Sequence, residues 1–271
     1  MSREAYADMH VHTLFSDGSD APETILKKAL KLGLRAVAIT DHDNTEALCA
    51  APPPGLELIS GTELNAEAEG REIHVLGYYF DPARLDIRDR MEQDREERNR
   101  RILDLLRRDG VDISLEELRR NKPQGNLGRP HIADALVARG LFPDRSAAFR
   151  AWLAEGRPYY VPRNYLSPEE AAELIRGAGG KAVLAHPMQY RLPKEKLRSL
   201  LRRCREAGFS GLEVLYTGYG PETRSMLTAL AREYGLCVTG GSDYHGPRRP
   251  ASILGEPKVP YALAEMLREA N

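Results

Sequence analysis

The fold is decided by a stretch near the start of the chain, Asp8-Met-His10-Val-His12-Thr-Leu-Phe-Ser-Asp17-Gly-Ser. His10 and His12 are two residues apart and alternate with apolar residues, a pattern typical of a β-strand. Side chains at positions i and i+2 of a strand leave the same face, so both imidazoles point to one place. The polar loop that follows can turn Asp17 back toward them. Two histidines and a carboxylate suit a divalent metal ion, although two polar residues on an exposed edge strand would give the same pattern.

The composition limits the class of protein. The chain has 271 residues, of which 42% are hydrophobic, a length that suits one α/β barrel or one domain with an insertion. The net charge of −1 provides no general attraction to nucleic acid or membrane. No apolar run approaches the roughly 20 residues of a membrane span, and the start of the chain has no features of a signal peptide. Three scattered cysteines fit a reducing cytoplasm and make cysteine ligation of a metal unlikely, so we expect a cytoplasmic protein.

Strands and helices alternate in the first and last parts of the chain. A helix is predicted over 22–33, with proline at its start and glycine at its end. The strands predicted after the first one lie at 36–40, 56–60, 72–80, 181–185, 211–215 and 236–239. Repeated βα units imply a parallel sheet covered by helices. About seven such units without a G-x-G-x-x-G motif favour a closed, irregular barrel over an open dinucleotide-binding sheet, which stays as the alternative.

A charged helical segment interrupts this alternation. Residues 88–150 carry 15 Lys and Arg against 12 Asp and Glu, a local charge of +3. Short helices are predicted at 115–120, 131–139 and 146–154, and the next strand at 159–161. We therefore predict a barrel made of residues 1–89 and 161–271 and a helical insertion over 90–160.

Six of the seven histidines lie within predicted strands or at their ends. The carboxyl ends of barrel strands are where barrel active sites are built. Taken singly, His42 could cap a turn, Glu63 could cap a helix and His186 could be a core histidine. Together, nine nitrogen and oxygen ligands exceed the four of one tetrahedral zinc and fit two or three ions. The predicted ligands are His10, His12, Asp17, His42, Glu63, His74, His186, Asp243 and His245.

These motifs, taken together, resemble the PHP (polymerase and histidinol phosphatase) superfamily. The matching segments are His10-Val-His12, Asp41-His42, His186-Pro187 and Asp243-Tyr-His245, with Glu63 and His74 at the remaining positions, and the resemblance spans residues 7 to about 250. It implies an α/β fold, a distorted (βα)7 TIM-like barrel, and a metal-dependent phosphoesterase. The resemblance also implies a trinuclear site that commonly holds manganese, iron or zinc, with magnesium as a further alternative. A metal-bridging lysine is not evident in the sequence, which argues against the related amidohydrolase pattern.

The resemblance also implies an arrangement of ligands. The first metal ion would be bound by His10, His12, Glu63 and Asp243. Glu63 would bridge to a second ion bound by His74 and His186, and the third would be bound by Asp17, His42 and His245. Asp41 and Asp43 are expected to orient ligands or shape turns. A metal-bound hydroxide held by these ligands is the expected nucleophile for phosphoester hydrolysis.

The insertion carries a second motif, Gly128-Arg129-Pro130-His131. It resembles a subgroup with nucleoside 3′,5′-bisphosphate phosphatases that also act as 5′→3′ exoribonucleases, which implies hydrolysis of the 5′-phosphate of such nucleotides or of short RNA. Arg129 offers a planar fork that suits a second phosphate, and Pro130 is expected to keep Arg129 extended. His131 is the other predicted substrate-binding residue. Alternatively, Arg129 is a solvated surface residue and His131 belongs to a helix N-terminus.

Two other functions remain open from the sequence. One is a small-metabolite phosphatase or cyclic phosphodiesterase, acting for example on histidinol phosphate or a ribose cyclic phosphate. The other is a non-catalytic metal-binding module of a larger assembly. The complete ligand set favours an enzyme, and the charge of +3 in residues 88–150 together with Arg129 favours a nucleotide or short RNA as the substrate. No obligate protein partner is expected.

Overall fold

The computed structural model describes residues 4–85, 88–162 and 165–270. Internal contacts divide the chain into two units. The barrel unit consists of residues 1–86 and 165–271, and the helical unit of residues 87–164. None of the helices in the described ranges is long and apolar enough to cross a lipid bilayer.

Within the described residues, the barrel unit is built on a sheet of eight strands. The strands are β1 (Tyr6–Val11), β2 (Ala36–Ile39), β3 (Glu57–Ala68), β4 (Arg71–Tyr78), β5 (Lys181–Leu184), β6 (Gly211–Tyr216), β7 (Cys237–Gly241) and β8 (Val259–Pro260). Their spatial order is β7-β6-β5-β4-β3-β2-β1-β8. The segment after β7 also lies against β1, because the amide of His12 donates to the carbonyl of Tyr244 over 2.8 Å. The sheet is therefore nearly closed, and the predicted α/β barrel fold is confirmed.

Glycine allows the two ends of this sheet to meet. A Cβ atom at Gly241 in β7 would lie 2.4 Å from the backbone nitrogen of His10 in β1, a separation that no other residue could accommodate without a shift. The side chain of Asp8 joins the same junction by accepting hydrogen bonds from the amides of Ser242 (2.9 Å) and Gly255 (2.8 Å). The junction fixes the place where the H-x-H motif meets the end of β7.

Helices follow most of the strands of the barrel unit, and further helices form the helical unit. In the described ranges they are α1 (Pro22–Lys31), α2 (Arg88–Arg108), α3 (Leu115–Asn121), α4 (Arg129–Ala138), α5 (Arg145–Ala148), α6 (Pro168–Gly177), α7 (Lys194–Glu206), α8 (Pro221–Glu233) and α9 (Tyr261–Glu269). The helix predicted over 22–33 is confirmed, and it buries Ile25, Leu26 and Ala29 on one face. Helix α6 begins after Ser167, which forms a capping box with Glu170.

The expectation of a uniformly parallel sheet is wrong at β3 and β4. These strands form an antiparallel hairpin, and β4 also pairs antiparallel with β5. Only Glu69 and Gly70 separate β3 from β4, too few residues for the crossover helix that parallel strands need. Both residues have positive φ, 56° and 69°, as the tight turn requires. The hairpin extends β3 to Ala68, well past the predicted end at residue 60.

The strand predicted at 159–161 is wrong too. Those residues form a turn and an irregular segment, and the amide of Tyr159 donates to the carbonyl of Trp152 over 3.0 Å. Tyr159 belongs to the apolar core of the helical unit, which also contains Ile102, Leu136 and Leu153. Tyr159 therefore packs in the core of the helical unit and is not part of a strand.

Candidate metal centre

The structure brings the nine predicted metal ligands together at one end of the barrel. Most of them lie where a parallel strand ends or just beyond it, as with His42 after β2, His186 after β5 and Asp243 after β7. His74 lies in the first half of β4. Because β4 runs antiparallel to its neighbours, that half lies at the same end of the barrel as the carboxyl ends of the parallel strands.

Glu63 is at the centre of this nine-residue cluster. Its side chain is 1% exposed, and its two oxygens face different histidines. Oε1 lies 2.9 Å from Nδ1 of His74 and 2.9 Å from Nε2 of His186. Oε2 lies 3.2 to 3.4 Å from ring nitrogens of His10, His12 and His42. The carboxylate thus has two sides, each with its own set of nitrogen donors.

The other two carboxylates complete the cluster. Oδ1 of Asp243 lies 3.5 Å from Nε2 of His10 and 3.4 Å from Nε2 of His12. Oδ1 of Asp17 lies 3.1 Å from Nε2 of His245, whose ring stacks on that of His12 with centroids 4.1 Å apart. Asp243 has a φ of 53°, a left-handed conformation that non-glycine residues adopt at some cost and that occurs often at functional sites.

The chemistry of these side chains fits a site for more than one divalent ion. Nε2 of His10 and Nε2 of His12 are 3.1 Å apart while both also face carboxylate oxygens. Donor atoms within 4.8 Å of one another form three overlapping groups: His10, His12 and Glu63; His42, Glu63 and His74; His12, Asp17, His42 and His245. Imidazole and carboxylate donors without thiolate suit manganese, iron, zinc or magnesium. The number of ions and the assignment of each ligand to one of them stay predictions.

Mutual contacts in the cluster compete with burial in setting the pKa values. Burial alone would raise the pKa of Glu63, but the histidines around it, His74 and His42 foremost, hold that pKa well below 4.5. Burial alone would lower the pKa of His12, but hydrogen bonds with Asp243 and Glu63 raise it from 6.5 to about 9. Burial prevails at His42 and lowers its pKa to about 3, so this imidazole is neutral at pH 7. Neutral imidazole and ionised carboxylate are the forms that bind metal ions.

The residues that orient the ligands include some that the sequence did not reveal. Glu213 in β6 is fully buried, with Oε1 2.9 Å from Nδ1 of His10, and its Oε2 accepts a hydrogen bond from the amide of His186 over 2.7 Å. Tyr216 donates to Oδ2 of Asp243 over 2.6 Å. Such partners fix the ring and carboxylate orientation of metal ligands. In the sequence, the feature that could have indicated a role for Glu213 is its position as a charged residue within an apolar strand.

Asp41 and Asp43 hydrogen-bond to the loops around the cluster. Asp41 accepts hydrogen bonds from the amide of Thr13 (2.8 Å) and from the hydroxyl of Ser16 (2.5 Å). Asp43 accepts from the amide of Asn65 over 3.0 Å and from its side-chain nitrogen over 2.6 Å. These bonds hold the loop that carries Asp17 and the middle of β3.

The two predicted substrate-binding residues lie in the first turn of α4, within the helical unit. The guanidinium of Arg129 lies over the rings of Tyr160 and Phe149, at 5.5 and 5.9 Å from their centroids. Nδ1 of His131 accepts a hydrogen bond from the amide of Gly128 over 3.0 Å and caps the helix. The expectation that Pro130 keeps Arg129 extended is wrong. Arg129 is the first residue of the helix, where the missing N–H of the following proline costs nothing, and Gly128 is extended instead.

Several known proteins are similar to this chain in sequence or in fold. A model of the PHP domain family matches residues 8–141. The chain is 35% identical to the 5′-3′ exoribonuclease Rnm of Escherichia coli K12, over 91% of this chain and 88% of that protein. It is 31% identical to the 3′,5′-nucleoside bisphosphate phosphatase of Chromobacterium violaceum, over 93% and 91% of the two chains. A crystal structure from Bifidobacterium adolescentis, provisionally named a metal-dependent phosphoesterase, is 36% identical with a TM-score of 0.85, over 97% and 95% of the chains.

Proposed function

The chain belongs to the PHP domain family of phosphoesterases, and we propose that it hydrolyses the 5′-phosphate of nucleoside 3′,5′-bisphosphates. Short 5′-phosphorylated oligonucleotides are a second proposed substrate, since they too carry a phosphate on the 3′ side of the first nucleoside. The observation that carries the proposal is the two-sided carboxylate of Glu63, which supports binding of several ions next to one phosphate. The names of the two relatives, which are similar over nearly the whole chain, support the choice of substrate.

The chemistry of the proposed site follows from its ligands. When bound, two to three divalent ions, manganese foremost, would lower the pKa of a water molecule toward about 7 and neutralise charge on the phosphate. The residues of the chain itself hold the donor atoms in place. Glu213 fixes the ring of His10, and Tyr216 occupies Oδ2 of Asp243 so that Oδ1 faces His10 and His12. Because the histidines and Glu63 are held in this way, the site is organised before the substrate arrives.

The helical unit is proposed to supply the substrate preference. Arg129 is half-buried, and the rings of Tyr160 and Phe149 restrict the plane of its guanidinium. A guanidinium held in one orientation loses less freedom when it binds phosphate with two parallel hydrogen bonds. We propose that this fork binds the 3′-phosphate or the next internucleotide phosphate, and that His131 supports it by fixing the first turn of α4.

Phosphate release from a panel of substrates tests the proposal. The manganese-loaded protein would be given adenosine 3′,5′-bisphosphate, adenosine 5′-monophosphate, a 5′-phosphorylated dinucleotide, histidinol phosphate and a ribose cyclic phosphate. We expect the highest kcat/KM with the bisphosphate, then with the dinucleotide. Preference for histidinol phosphate or the cyclic phosphate would replace the proposal with a small-metabolite function. Protein that binds metal fully and hydrolyses none of these would contradict it.

A further inference from the structure

An arginine that the sequence patterns did not single out lies beside the metal ligands. Arg249 follows the short 3₁₀ turn Gly246–Arg248, in the segment after β7. Its Nη1 donates to Oδ2 of Asp243 over 2.9 Å and lies 3.2 Å from Nδ1 of His245. Its side chain is 52% exposed, although both partners are buried. A guanidinium therefore lies where solvent meets the nine-residue cluster.

The contacts of Arg249 occupy only one of its three nitrogens. Within the described ranges, the hydrogen bonds of its guanidinium use Nη1, and none uses Nη2 or Nε. An arginine side chain has five N–H donors in a rigid fork, so anchoring through one nitrogen leaves the donors of the other two for a ligand. The half-exposed position means that a ligand could reach those donors from solvent.

The bond to Asp243 does not by itself account for Arg249. Tyr216, which is 5% exposed, already holds the same carboxylate oxygen through a hydrogen bond of 2.6 Å. The guanidinium of Arg249 is half-exposed, so solvent screens part of its attraction to Asp243. Three carboxylates are concentrated in the cluster, those of Asp17, Glu63 and Asp243, and they would repel a phosphate dianion until their charge is balanced. A permanent cation at the rim opposes that repulsion.

We propose that Arg249 is a phosphate-binding residue of the active site, anchored on Asp243 through Nη1 and donating hydrogen bonds from Nη2 and Nε to oxygens of the phosphate that is hydrolysed. A charge-assisted fork of this kind binds phosphoryl oxygens better than a point charge does. The inference rests on phosphoester hydrolysis in the barrel unit but not on a nucleotide as the substrate. It therefore applies to every phosphate ester that the enzyme accepts, whereas Arg129 is proposed to act on nucleotides alone.

Binding of inorganic phosphate, measured by calorimetry on manganese-loaded protein, tests the inference without turnover. Arg249→Ala is expected to raise the dissociation constant for phosphate by about tenfold or more, and Arg249→Lys by less, since lysine keeps the charge but lacks the fork. Metal content, measured by elemental analysis, should stay at the wild-type level in both variants. Arg248→Ala is the matched control, an exposed neighbour whose loss should leave phosphate affinity and metal content unchanged.

A second variant separates phosphate binding from support of Asp243. Tyr216→Phe removes the other hydrogen bond to Oδ2 of Asp243 without changing charge, so it should lower metal affinity and leave phosphate affinity of the metal-loaded protein near wild type. If Arg249→Ala reproduces that signature, with metal lost and phosphate affinity kept, the inference is overturned. Unchanged phosphate affinity in metal-replete Arg249→Ala overturns it as well. Loss of activity toward p-nitrophenyl phosphate, together with weaker phosphate binding, supports it even if nucleotides prove to be poor substrates.

Discussion

The nine-residue cluster of the barrel unit and the ion pairs of the helical unit differ in how deeply their charged side chains are buried. In the barrel unit, His10, His12 and Glu63 are at most 1% exposed, and each faces nitrogen or oxygen atoms of other cluster members, while Glu213 also contacts His10. The helical unit has an apolar core and also buries the charged side chain of Arg98, but ion pairs such as that of Arg139 with Glu117 lie toward the surface. Buried charges are costly unless they are paired, whereas surface pairs contribute little. The same chemical change should therefore have very different consequences in the two units.

The largest effect is expected at the centre of the cluster. Glu63→Gln keeps the size of the side chain but removes the charge that faces five histidines. We expect phosphate release to fall by about a thousandfold or more and bound metal to decrease, with the fold retained as judged by circular dichroism. Glu67→Gln, an exposed position on the same strand, is the matched control. Near wild-type turnover in Glu63→Gln would show that this carboxylate is not a required ligand.

A narrower effect is expected in the helical unit. Arg129→Ala removes the fork held over Tyr160 and Phe149, and a charge-assisted bond of that kind is worth roughly 1.5–3 kcal/mol. In kcat/KM for the bisphosphate this corresponds to a loss of about 10- to 150-fold. Turnover of a small phosphate ester should barely change.

Steady-state kinetics on both substrates decide the role of Arg129. Arg150→Ala, an exposed arginine of the same unit, should leave both activities unchanged. An equal loss of both activities in Arg129→Ala would instead assign Arg129 to the reacting phosphate or to the stability of the unit.

A smaller effect is expected at Glu213, which contacts a predicted ligand. Glu213→Gln weakens the contact that orients the ring of His10. Burial alone would lower the pKa of His10, but Glu213 and the other carboxylates raise that pKa well above 6.5. Loss of such a partner typically lowers metal affinity by about 10- to 100-fold. Competition between the protein and a fluorescent chelator measures the change, with the exposed Glu206→Gln as control. Unaltered affinity would mean that packing alone orients His10.

The fold and the convergence of the nine histidine and carboxylate side chains could be predicted from the sequence for a physical reason, while their role as metal ligands stays a prediction. Alternating apolar residues mark strands, and histidines at strand ends must converge when the strands lie side by side. The hairpin of β3 and β4 was missed because repeated βα units favoured a parallel sheet, although the short Glu69-Gly70 connection was there to be interpreted as a tight turn. The backbone conformation of Arg129 was predicted wrongly for a related reason. A residue before proline is generally extended, but the start of a helix overrides that preference.

The supporting residues could not be predicted, because their role depends on contacts between distant parts of the chain. Glu213 contacts His10, which lies 203 positions earlier. Tyr216 reaches Asp243 only after β6 and β7 have been placed side by side. Arg249 lies six positions after Asp243, but in an irregular segment whose path no sequence pattern indicates. Their partners become visible only when the register of the sheet is known.

The smallest effect is expected from the equivalent substitution in the helical unit, Glu117→Gln. Glu117→Gln breaks a pair in which the two carboxylate oxygens accept hydrogen bonds from Arg139 over 2.7 and 2.6 Å. Both side chains are about one-third exposed, 28% and 31%. The free energy of unfolding should therefore fall by about 1 kcal/mol or less, with metal content and both activities unchanged.

The pH dependence of that small loss identifies its origin. The hydrogen bonds from Arg139 hold the pKa of Glu117 below 4.5, so the ion pair stabilises the protein above that pH and its contribution disappears as the pH falls through the lowered pKa. Urea unfolding of wild type and Glu117→Gln at pH 7 and at a series of pH values below 4.5 should give a difference at pH 7 that shrinks as the pH falls. A loss larger than about 2 kcal/mol at pH 7, or any loss of bound metal, would break the contrast between the two units, because a surface pair would then matter as much as a buried one.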